Sequence, residues 1–219
     1  MRGSSALSRV IDLISVGIVL AGGAVFARAL LPQAEVTQPQ ELRVAAELMD
    51  PRTEGRWIGP EAASIVFVVY MDYQCGFCLE FQRTLDRLRS RYPQHVAVVL
   101  KHFVNPTDWG RYRIPAGLEC ADDQGHLEKY QTAILQSPEL LGYSQGWIRI
   151  AEFAQVPELD EFARCVRSGR YKRKIDLQHN EGKRLGVESI PTLFLKGEVI
   201  PGAVRLSRLD SIVASYLRK

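Results

Sequence analysis

The sequence predicts an α/β domain in which a β-α-β unit and a closing β-hairpin with its helix are separated by a helical insertion. Three observations carry this. SIVFVVYM, residues 64–71, is an unbroken β-branched and aromatic run, the pattern of a strand covered on both faces. An amphipathic segment and a second apolar run, VAVVLKHF at 96–103, follow at the spacing of a right-handed βαβ crossover, which makes the two strands parallel. A long helical stretch then precedes PTLFLKGEVIPGA, residues 191–203, where Lys196-Gly197-Glu198 between short apolar runs reads as a tight antiparallel hairpin.

Taken in order, the chain begins with a segment different in kind from the rest. LISVGIVLAGGAVFA, residues 13–27, carries no charge, and with its apolar neighbours it approaches the ~20 residues needed to cross a bilayer. Arg2 and Arg9 precede it, which favours a cytoplasmic N-terminus and an exported remainder. Residues 1–31 are thus expected to be a membrane anchor. A cleavable signal peptide, with Ala27-Arg28-Ala29 as the cleavage pattern, and a buried core helix are the alternatives. Residues 32–55 read as a linker, opening with the polar tether PQAEVTQPQE and continuing through a short amphipathic stretch, 41–50; PRTEGRWIGPEAA, residues 51–63, is rich in turn formers. The folded domain is expected at 56–219, with the helical insert at about 110–175.

Within that domain LEFQRTLDRLRSRY places Leu79, Phe81, Leu85, Leu88 and Tyr92 at helical spacing, and Pro93 stops the helix. Segments 114–136, 144–155 and 159–169 form the run of helices, with loops at Pro138 and Pro157. Residues 172–186 continue helically to Gly186, and SRLDSIVASYLRK closes the chain as an amphipathic helix. No fixed-period repeat is present. With 219 residues, 46% hydrophobic and 24% charged, the chain can bury a core without a staple, and one elaborated domain is expected.

The net charge is only +3 and the basic residues are scattered, so the electrostatic footprint of a nucleic-acid binder is missing. The densest basic stretch, RSGRYKRK at 167–174, has no stacking aromatics beside it and reads as a solvated face. Export implies a compartment where disulfides persist.

The chain has four cysteines, two of them in MDYQCGFCLEF. Cys75 and Cys78 stand at a strand-to-helix junction, with Cys75 at the helix tip, where unpaired N–H groups and aligned peptide dipoles favour a thiolate able to exchange with another protein's sulfur. Cys78, one turn further in, suits the resolving role. Gly76 leaves the backbone N–H groups open, and Phe77 offers an apolar flank to a substrate unless it is simply packed.

VVYMDYQCGFCLEF, SIPTLFLKG and the helical block between them together resemble the DsbA-like thiol:disulfide oxidoreductases of the thioredoxin-fold superfamily, in a branch often attached to membranes. The resemblance spans about residues 57–217 and implies a thioredoxin fold whose βαβ and ββα halves flank the insertion. It implies a cis-Pro191 beside the active cysteines, with the Ile190 backbone binding an extended substrate. It also implies a structural disulfide between Cys120 and Cys165, the alternatives being two buried thiols or a relay through Cys165. No metal or organic cofactor is expected. Expected partners are extracytoplasmic client proteins with cysteines and a membrane redox partner, either a quinone-linked reoxidant or an electron donor.

The sequence departs from the family pattern at two places. Gly76 stands where many relatives have proline, so the redox potential does not transfer. Val69 stands where relatives often carry a buried acid, with Asp72 and Lys101 the nearest substitutes; their plain readings are a cap at the strand end and a side chain reaching water. Ile190 leans toward reduction, whereas the insert and second cysteine pair lean toward oxidation. Two other classes compete: a zinc or copper module joining Cys75 and Cys78 to His102 or His179, and a scaffold whose Cys75–Cys78 bond is inert.

Overall fold

The computed structural model describes residues 55–218. The apolar segment 1–31 and the tether lie outside them, and among the described residues no helix is long and apolar enough to cross a membrane. The elements are β1 (Arg56–Ile58), β2 (Ile65–Met71), α1 (Gly76–Arg91), β3 (Val96–His102), α2 (Trp109–Asp122), α3 (Leu127–Gln136), a 3-10 turn (Pro138–Gly142), α4 (Gly146–Phe153), α5 (Leu159–Ser168), α6 (Lys172–Arg184), β4 (Thr192–Leu195), β5 (Glu198–Pro201) and α7 (Leu206–Leu217).

Among the described residues five strands form one sheet in the order β1-β3-β2-β4-β5. β2 and β3 run parallel, Ile65 beside Val96 through Met71 beside His102, as the helical crossover requires. β4 lies antiparallel to β2, and β5 antiparallel to β4 through the Lys196-Gly197 turn, where both residues have positive φ. Residues along β2 alternate between two cores, which is why its sequence is apolar throughout. Phe67, Val69 and Met71 join α1 and the insert in the larger core, whereas Val68 and Tyr70 pack with Leu185, Val187 and Phe194 on the opposite face.

Two element boundaries differ from the sequence expectation. The turn-rich stretch 51–63 contains β1, an edge strand antiparallel to β3. It is too short for periodicity to register, and the β3 edge organises it. The stretch 114–136 is two helices broken at Asp123–His126, where Gly125 takes φ +70° and the His126 N–H turns back to the Ala121 carbonyl at 2.8 Å. The first begins before Ile114, because Asp108 caps it by accepting the Arg111 N–H at 3.2 Å.

Cys120 of α2 and Cys165 of α5 are joined as a disulfide, with Cα atoms 6.0 Å apart. A buried charge cluster ties the insert to the sheet. Glu119 of α2 is fully buried and pairs with Arg56 of β1, with Lys174 of α6 at 2.9 Å and with His102 of β3 at 3.2 Å. Burial, with Lys174 and Arg56 nearby, pushes the His102 imidazole down to about 3, so its contact with Glu119 is a hydrogen bond donated by a neutral ring rather than an ion pair.

The basic stretch 167–174 is more than a solvated face. Lys174 reaches Glu119, Arg170 pairs with Asp123 and Glu161, and Arg167 lies over the Trp147 ring. Lys101 does not reach water either: it is buried and donates to Glu181 at 2.7 Å, which also accepts from the Tyr70 hydroxyl at 2.7 Å.

Candidate active site

The loop between β2 and α1 is held by its own short-range chemistry. One Asp72 carboxylate oxygen accepts the Gln74 N–H at 2.8 Å, and the Asp72 carbonyl accepts the Cys75 N–H at 3.0 Å. Asp72 is only 2% exposed, and its other carboxylate oxygen pairs with Arg111 at the start of α2. The loop is thereby clamped to the insert. Gln74 adds a hydrogen bond from its amide to the Leu141 carbonyl at 3.4 Å.

Cys75 is the N-cap of α1, with extended backbone (φ −99°, ψ 117°), and its carbonyl accepts from Cys78 at 3.0 Å and Leu79 at 3.1 Å. No acidic residue stands in the first turn of α1, so nothing on that turn offsets the positive end of the helix. The two sulfurs differ in environment. Cys75 is partly exposed, whereas Cys78 is fully buried; both are free thiols. Burial pushes the Cys78 thiol well above its ordinary value; the Asp72 backbone opposes this, and the Cys75 thiol and the Asp72 charge add to it.

Between them Gly76 opens the helix with free space around it, since a Cβ built there meets nothing within 4 Å. Phe77 is 76% exposed and so not packed into the core.

The Ile190–Pro191 peptide is cis. The β2–β4 register pairs Tyr70 with Thr192; carried one residue on, it sets Pro191 opposite Met71, at the end of the sheet from which the Cys75 loop departs. The Pro191 carbonyl accepts the Gly202 N–H at 2.8 Å. Pro191 is buried, while Ile190 is partly exposed and touches both cores.

Neither proposed histidine is arranged with the cysteines as a metal ligand set. His102 is taken by Glu119, and the His179 ring stacks on Phe103 at 4.6 Å. Among the described residues no group of three or more His, Cys, Asp or Glu side chains is placed to hold a metal ion. Sequence reasoning missed Arg111 and Glu119. Neither has a local signature, because each acts through partners distant in the chain.

A sheet of this topology with a Cys-Gly-Phe-Cys pair at its first helix tip and a cis-proline at the neighbouring strand end defines the class of the thioredoxin-fold thiol:disulfide oxidoreductases, DsbA-like in its helical insertion. The chain belongs to the thioredoxin family, whose model matches residues 52–215. No curated protein sequence matches it. Among solved structures, alpha-DsbA1 of Wolbachia pipientis is similar with a TM-score of 0.68 at 18% identity, over 80% of this chain and 96% of that one. A thioredoxin-like oxidoreductase from Silicibacter pomeroyi gives 0.65 at 18% identity, over 83% and 98%. A periplasmic thioredoxin-like protein from Salmonella enterica serovar Typhimurium gives 0.63 at 20% identity, over 81% and 97%. At these identities the likeness is one of fold.

Proposed function

We propose that this protein exchanges disulfides with extracytoplasmic proteins through the Cys75–Cys78 couple, acting as a disulfide donor. The observation that supports this best is the asymmetry of the pair: a partly exposed sulfur at an N-cap and a buried one a turn inside. A client thiolate attacks Cys75 Sγ of the oxidised pair, and the Cys75–Cys78 bond breaks. Cys78 leaves and takes up a proton, the form its burial favours. A second client thiolate then attacks the client sulfur of the mixed disulfide and releases Cys75 as thiolate. Two electrons pass from the client to this protein, and a membrane quinone-linked partner removes them. The Ile190 backbone beside cis-Pro191 aligns the client segment, and Phe77 contacts it.

Export rests on the apolar N-terminal segment 1–31, as anchor or signal peptide, together with the periplasmic description of the Salmonella relative.

The test is to equilibrate the full chain with glutathione buffers and read the oxidation state of each cysteine pair. An oxidising poise for Cys75–Cys78 supports the donor direction. A strongly reducing poise reverses it to a reductase or isomerase supplied by an electron donor, and a pair that dithiothreitol cannot reduce sinks the exchange reading. Cys75→Ser is expected to abolish turnover, whereas Cys78→Ser accumulates mixed disulfides with clients.

A further inference from the structure

Two hollows open on the helical insert and meet. The first, about 350 Å³, is lined by Gln74, the residue before Cys75, by Arg111 and the exposed Tyr143, and by Arg113 and Trp147. The second, about 140 Å³, shares Arg113 and Trp147 and continues to Tyr112, Arg167 and Lys172. Sharing Arg113 and Trp147, they make one trough over α2, α4 and the end of α5 that includes Gln74, the chain neighbour of Cys75.

The trough is lined by cations resting on aromatic walls. The Arg167 guanidinium lies 5.6 Å from the Trp147 ring centre, and the Lys172 ammonium 4.9 Å from that of Tyr112. Among the described residues Asp108 is the only carboxylate lining it, and its charge is engaged by Arg111, which also neutralises Asp72. Lys172 is paired with Asp176 at 2.6 Å. Arg113 and Arg167 remain: Arg113 donates to the Ser144 carbonyl at 3.0 Å, and among the described residues neither meets a carboxylate. Two uncompensated guanidinium groups along a groove with apolar walls complement an extended chain that bears carboxylates.

We propose that this trough binds an acidic segment of the client polypeptide next to its reacting cysteine, so that the protein prefers clients with Asp or Glu side chains there. The inference rests on the proposed exchange activity for the meaning of "client", but the groove can be tested separately from the chemistry.

Three labelled dithiol peptides serve as probes: one flanked by glutamates, one by glutamines and one by lysines. Their binding to the full chain carrying Cys75→Ser and Cys78→Ser reads the trough alone, and their oxidation by the disulfide form of the wild-type chain reads the trough together with the couple. The glutamate peptide is expected to bind about fivefold more tightly than the glutamine peptide at low salt, with the lysine peptide weakest and the difference shrinking as salt is raised. Arg113→Gln with Arg167→Gln should erase the preference while leaving glutamine-peptide oxidation unchanged. Arg113→Lys with Arg167→Lys should retain it, because charge and not packing is at work.

Equal binding of the three peptides, or a preference that survives the glutamine substitutions, overturns the inference. If no peptide is oxidised, the exchange reading fails, and the binding series still decides whether the trough selects acidic chains.

Discussion

Gly76 shows how much a single position at the site can change without moving its neighbours. It is the first residue of α1, where a missing N–H costs no intrahelical bond, and Cys75 before it already has the extended backbone that precedes proline. With open space around a Cβ, Gly76→Pro is expected to leave the fold intact and raise stability by about 0.4–1 kcal/mol, read from denaturation midpoints. Phe77→Ala, at an exposed side chain, should change stability by less than about 0.5 kcal/mol, so any loss of client oxidation reports contact rather than folding. His102 gives the pH dependence its sign. Its folded value is lowered from 6.5 to about 3, so between those limits the unfolded chain binds a proton that the folded chain refuses. Stability from this group is intact above about pH 6.5 and falls with acidification, by up to ~1.4 kcal/mol per pH unit, until about pH 3. Urea titrations at stepped pH should show that slope and its flattening in His102→Gln.

Among the elements, the helical insert is where sequence and structure part most. The central strands, the long first helix, the hairpin and the final helix are legible because each carries its own period or turn signal. The edge strand β1 is not, since three residues give no period, and the break after α2 shows only as a glycine among polar residues. Packing inside the insert depends on Gly117, where a Cβ would fall 2.4 Å from the Tyr130 hydroxyl, which itself donates to the Trp147 carbonyl at 2.9 Å. Gly117→Ala therefore overpacks the meeting of α2 with α3 and should destabilise by roughly 1–3 kcal/mol in thermal or chemical unfolding. The Cys120–Cys165 bond closes a loop with a sequence separation of 45 across the same block. Replacing both cysteines by alanine is expected to cost about 4 kcal/mol in the chain-entropy account.

For the whole molecule, Cys75, Gly76, Phe77, Cys78, Ile190 and Pro191 lie where the first helix and the β4 strand start, but what braces them was invisible. Asp72 is adjacent to the motif, yet its partner Arg111 lies on another element, and Glu119 gathers partners from β1, β3 and α6 that are widely separated in sequence. Such pairs follow no spacing rule, because the tertiary fold alone brings them together. Glu119→Gln would remove the fully buried carboxylate that Arg56 and Lys174 share, while Arg56 keeps Asp122, and a loss of about 1.5–3 kcal/mol is expected by denaturant unfolding.

The Arg111 and Glu119 contacts also bear on grafting. The insert leaves the frame after β3 and rejoins it at α6, as a cassette would, but a block transplanted from a relative would arrive without the two rivets that fix it to this chassis. A chimera that exchanges the insert while keeping Arg111 and Glu119 should inherit the donor's choice of polypeptides and keep the host's sulfur chemistry.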